Sequence, residues 1–191
     1  LHVTPYYNKA SQTGLIKHYE YISDRTDLPI ILYNVPSRTG VSFTADTYKV
    51  LSENPKINGV KEASGNFSAI AEIMSLADGC VDLYSGNDDQ IVPLLALGGK
   101  GVISVLSNIA PRTAHDICEK FFQGDLEGSR KLQLKALPLI KALFCEVNPI
   151  PVRAALNLMG KQVGAPRLPL TEMEPDHQEL LRKEMEKFGL L

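Results

Sequence analysis

Residues 29–35 read PIILYNV, a short run that is apolar on both faces and rich in β-branched side chains. A run of this kind is typical of a strand that is buried in a parallel sheet. Three more runs, 57–61, 81–85 and 101–105, are short and apolar in the same way, and His2-Val3 resembles the end of an earlier strand. The sequence therefore predicts a sheet of four strands and part of a fifth.

Segments with helical periodicity lie between these strands. Thr44 is expected to cap a helix that runs to Ser52, and Asn66 to cap a helix from Ser68 to Asp78. A third helix is expected over residues 88–97. Because no hairpin dipeptide joins the strands, the pattern is one of βα units and a parallel sheet, and its regular spacing favours a (β/α) barrel.

After residue 108 the pattern is helical only, with Pro138 expected to kink a long segment that ends at Phe144. We predict two domains, a partial (β/α) barrel over 1–124 and a helical subdomain over 125–191. A complete eight-stranded barrel takes about 250 residues. The predicted fold class is therefore α/β, the C-terminal part of a (β/α)8 TIM barrel followed by a C-terminal helical subdomain.

Composition excludes several classes of partner. The net charge of −2 offers no positive field for nucleic acid, and no apolar run reaches the roughly 18 residues of a membrane span. The three cysteines, Cys80, Cys118 and Cys145, form no CxxC pair and have no histidine at metal-ligand spacing. We expect reduced, buried thiols, a soluble cytoplasmic protein and no metal.

Lys61 ends the strand at 57–61, at the edge where barrel enzymes build their active sites. Strand alternation places it on one face with the small residues Gly59 and Ala63, which leave room around it. Burial there would lower the amine pKa and favour attack on a carbonyl to form a Schiff base. The alternative is a rim lysine paired with a carboxylate.

Two more side chains follow the preceding strand at the same rim. Tyr33 is a phenol that could pass protons to and from an imine, although a core tyrosine is the simpler interpretation. Arg38 lies in the following loop, where its guanidinium could bind a substrate carboxylate through two hydrogen bonds. A plain surface arginine is the alternative.

Loops after the other strands complete the predicted rim. Tyr6 and Tyr7 follow the first strand and point toward the site or toward a neighbouring subunit. Gly86 and Ile103 follow the third and fourth full strands, where backbone groups could contact a small carboxylate.

Together, residues 4–8 (TPYYN), 33–40 (YNVPSRTG) and 59–66 (GVKEASGN) resemble the dihydrodipicolinate synthase family of Schiff-base aldolases and lyases. Residues 101–105 (GVISV) and 148–152 (NPIPV) match the family as well. The resemblance covers essentially all 191 residues in order, and it corresponds to the C-terminal two-thirds of the family's chain.

The resemblance implies a cofactor-free lyase of the diaminopimelate route to lysine that condenses pyruvate with L-aspartate 4-semialdehyde. It implies that Lys61 forms the imine with pyruvate and that Tyr33 shuttles protons. It also implies that Arg38 holds the carboxylate of the semialdehyde, while Gly86 and Ile103 supply backbone contacts.

The same resemblance implies a homotetramer built from two tight dimers. Tyr7 would enter the site of the adjacent subunit and complete a proton relay, and Tyr6 would lie at the tight-dimer interface. The family's Gly-Thr-Thr-Gly-Glu loop, which links the two relay tyrosines, does not occur in these 191 residues.

Two alternatives stay open. One is a sister enzyme such as N-acetylneuraminate lyase or a keto-sugar-acid aldolase, although these are not expected to carry Ser37-Arg38-Thr39. The other is a truncated, non-catalytic fragment that keeps the family's residues.

Overall fold

The computed structural model describes residues 1–77 and 79–191, so the predicted helix end at Asp78 lies outside the described residues. The chain divides into two compact units, Leu1–Ile103 and Ser104–Leu191. Each unit has a hydrophobic core of its own.

The first unit contains a five-stranded sheet in which neighbouring strands are parallel and follow the chain order. Its strands are β1 (His2–Val3), β2 (Ile30–Asn34), β3 (Ile57–Glu62), β4 (Asp82–Ser85) and β5 (Gly101–Val102). All of the predicted strands are confirmed, although β5 is shorter than the predicted run 101–105. Because the strands are parallel, their C-terminal ends and the loops that follow lie at one edge.

Helices connect these strands, as the sequence predicts. They are α1 (Gln12–Ser23), α2 (Pro36–Thr39), α3 (Ala45–Ser52), α4 (Phe67–Ala77) and α5 (Ile91–Ala96). The predicted caps are confirmed, because Thr44 accepts a hydrogen bond from the Thr47 N–H and Asn66 accepts one from the Ala69 N–H at 3.1 Å. The helix expected over 88–97 is divided into a 3₁₀ turn (Asp88–Gln90) and α5.

The two faces of the sheet differ in burial. Leu32, Val60 and Leu83 are register partners and are at most 1% exposed, in one core cluster with residues of α1, α3 and α4. On the opposite face, the next row of partners includes Tyr33 and Lys61, which are only half-buried. Apolar burial therefore holds the helix-facing side, and the other side carries the polar groups.

The second unit is helical. It contains a short 3₁₀ turn (Leu106–Asn108) and the helices α6 (Pro111–Phe122), α7 (Leu126–Leu143), α8 (Ile150–Leu158) and α9 (Pro175–Phe188). Proline lies in the first turn of α6, α8 and α9. N–H groups in the first turn have no acceptor within the helix, so the missing N–H of proline costs no helical hydrogen bond there. Pro138 lies inside α7.

The position of α6 differs from the sequence-based division after residue 124, which places this helix with the barrel. The structure groups α6 with the second unit, since it packs along α7. The Ser129 hydroxyl of α7 donates a buried 2.6 Å hydrogen bond to the Ile117 carbonyl of α6. Helix contacts of this kind cannot be located by counting strands along a sequence.

Candidate active site

Lys61 and Tyr33 are brought together by the pairing of β3 with β2. They are register partners on the half-buried face, and the Nζ atom of Lys61 lies 4.2 Å from the centroid of the Tyr33 ring. The ammonium form of lysine at this distance is within the range of a cation–π contact. The expected juxtaposition of a rim lysine and a phenol is therefore present.

Burial shifts the acid–base behaviour of both groups. Desolvation lowers the pKa of the Lys61 amine, Asp88 opposes that change, and the positive charge of Arg38 adds to it. Desolvation raises the pKa of the Tyr33 phenol, and Arg38 partly offsets this. Relative to the same groups in water, the surroundings shift the amine toward its neutral form and the phenol toward its protonated form, which suits nucleophilic attack assisted by a proton donor.

Gly86 leaves space around the lysine. A Cβ atom at this position would lie 2.6 Å from the Ala63 Cβ and 3.2 Å from the Lys61 Cε, so no side chain fits without movement. The Gly86 N–H donates to the Glu62 carbonyl at 2.7 Å, and the Ile103 N–H donates to the Ser85 carbonyl at 2.9 Å. Both N–H groups are thus used by the sheet, so neither donates to the small carboxylate that the sequence predicts here.

Arg38 lies in the single-turn helix α2, which follows β2 directly and ends at Gly40 with a left-handed φ of 70°. Its side chain is exposed, and its charge acts on both Tyr33 and Lys61. The structure therefore places a guanidinium within electrostatic reach of the lysine and the phenol.

Tyr6 and Tyr7 are not gathered into this group. Their exposed fractions are 71% and 87%, and Tyr7 has a φ of 70°. The loop that carries them starts at the same edge, because the Thr4 N–H donates to the Tyr33 carbonyl at 3.2 Å. Within a single chain, these two phenols project into solvent.

A buried polar cluster behind the lysine was missed by the sequence reasoning. Glu62, the residue after Lys61, is 2% exposed and accepts hydrogen bonds from Asn34 and from the hydroxyl of Tyr48. The sequence does contain a sign of this cluster. Asn34 and Glu62 are polar, whereas the other helix-facing positions of their strands are apolar.

The described residues offer neither a membrane-spanning helix nor a metal site. No helix there combines the length and the apolar character that a membrane crossing requires. Nor do residues 1–77 and 79–191 contain a group of three or more His, Cys, Asp or Glu side chains placed to hold a metal ion. The expectation that the cysteines are buried is wrong, because Cys80 is exposed and Cys118 and Cys145 are only partly buried.

Comparisons with known proteins point to one family. A model of the Dihydrodipicolinate synthetase family matches residues 1–188. The 4-hydroxy-tetrahydrodipicolinate synthase of Caldicellulosiruptor saccharolyticus is 57% identical over 190 residues, which are 100% of this chain and 64% of that protein. The chain therefore spans less than two thirds of the length of this curated relative.

Solved structures give the same result for the fold. Dihydrodipicolinate synthase from Thermotoga maritima matches 99% of this chain and 65% of its own chain, with a TM-score of 0.96 and 48% identity. A structure described as the first monomeric dihydrodipicolinate synthase variant matches 99% of this chain and 64% of its own, with a TM-score of 0.96 and 47% identity. These neighbours are TIM barrels, so the expected fold, the C-terminal part of such a barrel with a helical subdomain, is confirmed.

Proposed function

The chain belongs to the dihydrodipicolinate synthetase family, and from this premise we propose that it carries the imine-forming site of a 4-hydroxy-tetrahydrodipicolinate synthase. The complete protein condenses pyruvate with L-aspartate 4-semialdehyde in the cytoplasm, in the diaminopimelate route to lysine, and requires no cofactor. The observation that supports this most strongly is the half-buried Lys61, whose Nζ lies 4.2 Å from the centre of the Tyr33 ring.

The first stage is imine formation. The neutral amine of Lys61 attacks the ketone carbon of pyruvate, and the tetrahedral carbinolamine then loses water. The Tyr33 phenol donates the proton that the departing hydroxyl requires, and its raised pKa keeps that proton available at neutral pH. The lowered pKa of Lys61 increases the fraction of the amine that is free to attack.

The second stage forms the carbon–carbon bond. Loss of a proton from the methyl group of the imine gives an enamine, whose terminal carbon attacks the aldehyde of the semialdehyde and produces a hydroxyl group. The amine of the semialdehyde then attacks the imine carbon, closes the ring and displaces Lys61 as a free amine. One water is released in total, at imine formation.

Arg38 supports the choice of the second substrate. Its exposed guanidinium acts electrostatically on both Lys61 and Tyr33, and a guanidinium binds carboxylates through two parallel hydrogen bonds. We assign to it the carboxylate of the semialdehyde. The N–H groups of Gly86 and Ile103 are bonded within the sheet. We therefore assign the backbone contacts near the lysine to their carbonyl oxygens, which accept from the carbinolamine hydroxyl or from the amine of the semialdehyde.

The partner of the chain is a second copy of itself. Tyr7, which is 87% exposed, reaches the site of the adjacent subunit, and Tyr6 packs at the tight-dimer interface of a homotetramer. Sedimentation of the natural polypeptide tests this assembly. A monomer with full activity would contradict it, and the monomeric variant among the similar structures makes the measurement necessary.

Reduction with borohydride tests the proposed function. Pyruvate and borohydride should add one reduced pyruvate unit to the natural polypeptide, located at Lys61 by peptide mass spectrometry. The Lys61→Arg variant should remain unlabelled, and so should the wild type treated with borohydride alone. Absence of the adduct from a folded sample would favour the non-catalytic alternative.

Substrate turnover then separates the related enzymes. The pyruvate adduct together with consumption of the semialdehyde supports the synthase. The adduct without that consumption, but with cleavage of N-acetylneuraminate or a keto-sugar acid, would favour the sister aldolases. Arg38→Gln is the variant that should weaken the first activity selectively.

A further inference from the structure

Glu62 carries a buried carboxylate that receives donors from three directions. Its Oε1 and Oε2 accept from the Asn34 amide at 3.2 and 3.0 Å. Oε1 also accepts from the Ser64 N–H at 2.7 Å, and Oε2 accepts from the Tyr48 hydroxyl at 3.2 Å. Each partner offers an N–H or O–H, so the cluster is built for an ionised carboxylate.

The hydrogen-bond donors around the Glu62 carboxylate, which come from Asn34, Tyr48 and Ser64, are all neutral. A buried carboxylate without a cation is costly unless hydrogen bonds replace its water. An apolar residue would be the less costly way to fill a site that is 2% exposed. The retained charge therefore needs a reason beyond packing.

The connections made by Asn34 suggest that reason. This residue follows Tyr33 at the end of β2, just as Glu62 follows Lys61 at the end of β3. The Asn34 amide also donates to the Ser42 hydroxyl at 3.0 Å, and its oxygen accepts from the Phe43 N–H at 3.4 Å. Asn34 thus connects Glu62 to the loop that follows Arg38.

We propose that Glu62 is a positioning residue for the imine-forming site, whose carboxylate holds the strand end of Lys61 against the segment that carries Tyr33 and Arg38. It touches neither the substrate nor the amine and acts through Asn34 and Ser64. This inference deepens the proposed function and rests on it for the kinetic readout.

Loosening this cluster has a definite effect on Lys61. The groups that face the amine are Tyr33 from β2, Arg38 from α2, Asp88 from the 3₁₀ turn and the register partner Tyr84 from β4. The Glu62 carboxylate is not among the charges that shift the Lys61 pKa, so its neutralisation has no direct effect on the amine. Water entering at the strand end reduces the desolvation that lowers this pKa. If Arg38 moves away, its positive charge no longer lowers the Lys61 pKa. Both changes therefore raise the Lys61 pKa.

The test compares Glu62→Gln with Lys56→Met in the natural polypeptide. Glutamine keeps the shape of the Glu62 side chain but replaces one acceptor oxygen with an NH₂ group. This NH₂ group then either faces another hydrogen-bond donor or requires the Tyr48 hydroxyl to rotate and act as the acceptor. Lys56 immediately precedes β3, and its Nζ donates 2.8 Å hydrogen bonds to the Ser23 and Thr26 carbonyls. The control therefore removes part-buried hydrogen bonds at the opposite end of the same strand.

The expected result is a tenfold or greater loss in the rate of imine trapping at saturating pyruvate for Glu62→Gln, on the order of the cost of a small misplacement. The pH at half-maximal trapping should also move upward. Lys56→Met should lose thermal stability without either change. Equal trapping rates and pH midpoints in the wild type and Glu62→Gln would overturn the proposal and leave Glu62 a structural residue.

A second readout does not depend on pyruvate. Acetylation of Lys61 by acetic anhydride, followed against pH by peptide mass spectrometry, reports the amine pKa directly. The pH at half-maximal acetylation should be higher in Glu62→Gln than in the wild type. This result is expected even if the wild type forms no pyruvate adduct, and a missing adduct would then contradict only the proposed function. If Glu62→Gln does not fold, Asn34→Ala takes its place and should shift the midpoint in the same direction; an unchanged midpoint would overturn the proposal.

Discussion

Lys61 and Tyr33 are paired in the parallel register of β3 and β2, which holds the lysine Nζ 4.2 Å from the centroid of the tyrosine ring. The pairing places a poorly solvated amine beside a phenol with a raised pKa. Strand pairing thus assembles a nucleophile and a proton donor from residues that are 28 positions apart along the chain.

Replacing Lys61 with methionine should stabilise the protein. A lysine whose pKa is lowered by burial opposes folding while it is charged, because the unfolded chain binds that proton more tightly. The stabilisation by Lys61→Met should be largest at neutral pH and should shrink as the pH rises through the lowered pKa toward 10.5, the ordinary value for a lysine. Thermal unfolding against pH measures this, with the exposed Lys17→Met as the control.

Tyr33→Phe should slow imine formation by about a hundredfold or more, which is the usual contribution of a general acid or base. The ring remains, so the contact with Lys61 is kept and only the proton donor is lost. Rapid-quench trapping with borohydride measures the rate. Tyr21→Phe is a matched control, because that ring is 60% exposed and lies against Arg25. Equal rates for wild type and Tyr33→Phe would exclude the phenol from proton transfer.

Arg38→Gln should raise the KM for the semialdehyde by roughly ten- to a hundredfold, the value of a hydrogen bond to a charged group. Trapping with pyruvate alone should be much less affected. The Lys61 pKa should rise, because Arg38 is one of the causes that lower it. Steady-state kinetics with Arg25→Gln as the control tests the assignment, and an unchanged KM would remove Arg38 from the binding site.

Gly86→Ala should impair both folding and pyruvate binding. The added methyl would lie 2.6 Å from the Ala63 Cβ and 3.2 Å from the Lys61 Cε, so the loop or the lysine must move. Gly14→Ala in α1 is the control, since its new methyl meets nothing closer than 3.4 Å. That change should stabilise the helix by about 0.5–1 kcal/mol. Thermal unfolding and the pyruvate concentration at half-maximal trapping decide the outcome.

Much of the barrel portion could be predicted from local sequence. The apolar run at 30–34 and its three counterparts predict parallel strands, and Thr44 and Asn66 identify two helix starts. The position of Lys61 at a strand end followed from the same reasoning. Such features depend on side-chain periodicity and on hydrogen bonds between near neighbours, which can be recognised along the chain.

Other features depend on contacts between distant residues. The Glu62 cluster requires the register of β2 and β3 together with the packing of Tyr48 from α3, and no local pattern specifies that meeting. The grouping of α6 with the second unit also depends on helix packing.

By itself, the sequence determined which segments are strands and helices, and which residue types stand at the strand ends. Only the tertiary structure decided how close Lys61 comes to Tyr33 and how deeply the Glu62 carboxylate is buried. The physical reason is that burial and the distances between side chains arise when strands pair and helices cover them, and these quantities set the pKa of Lys61.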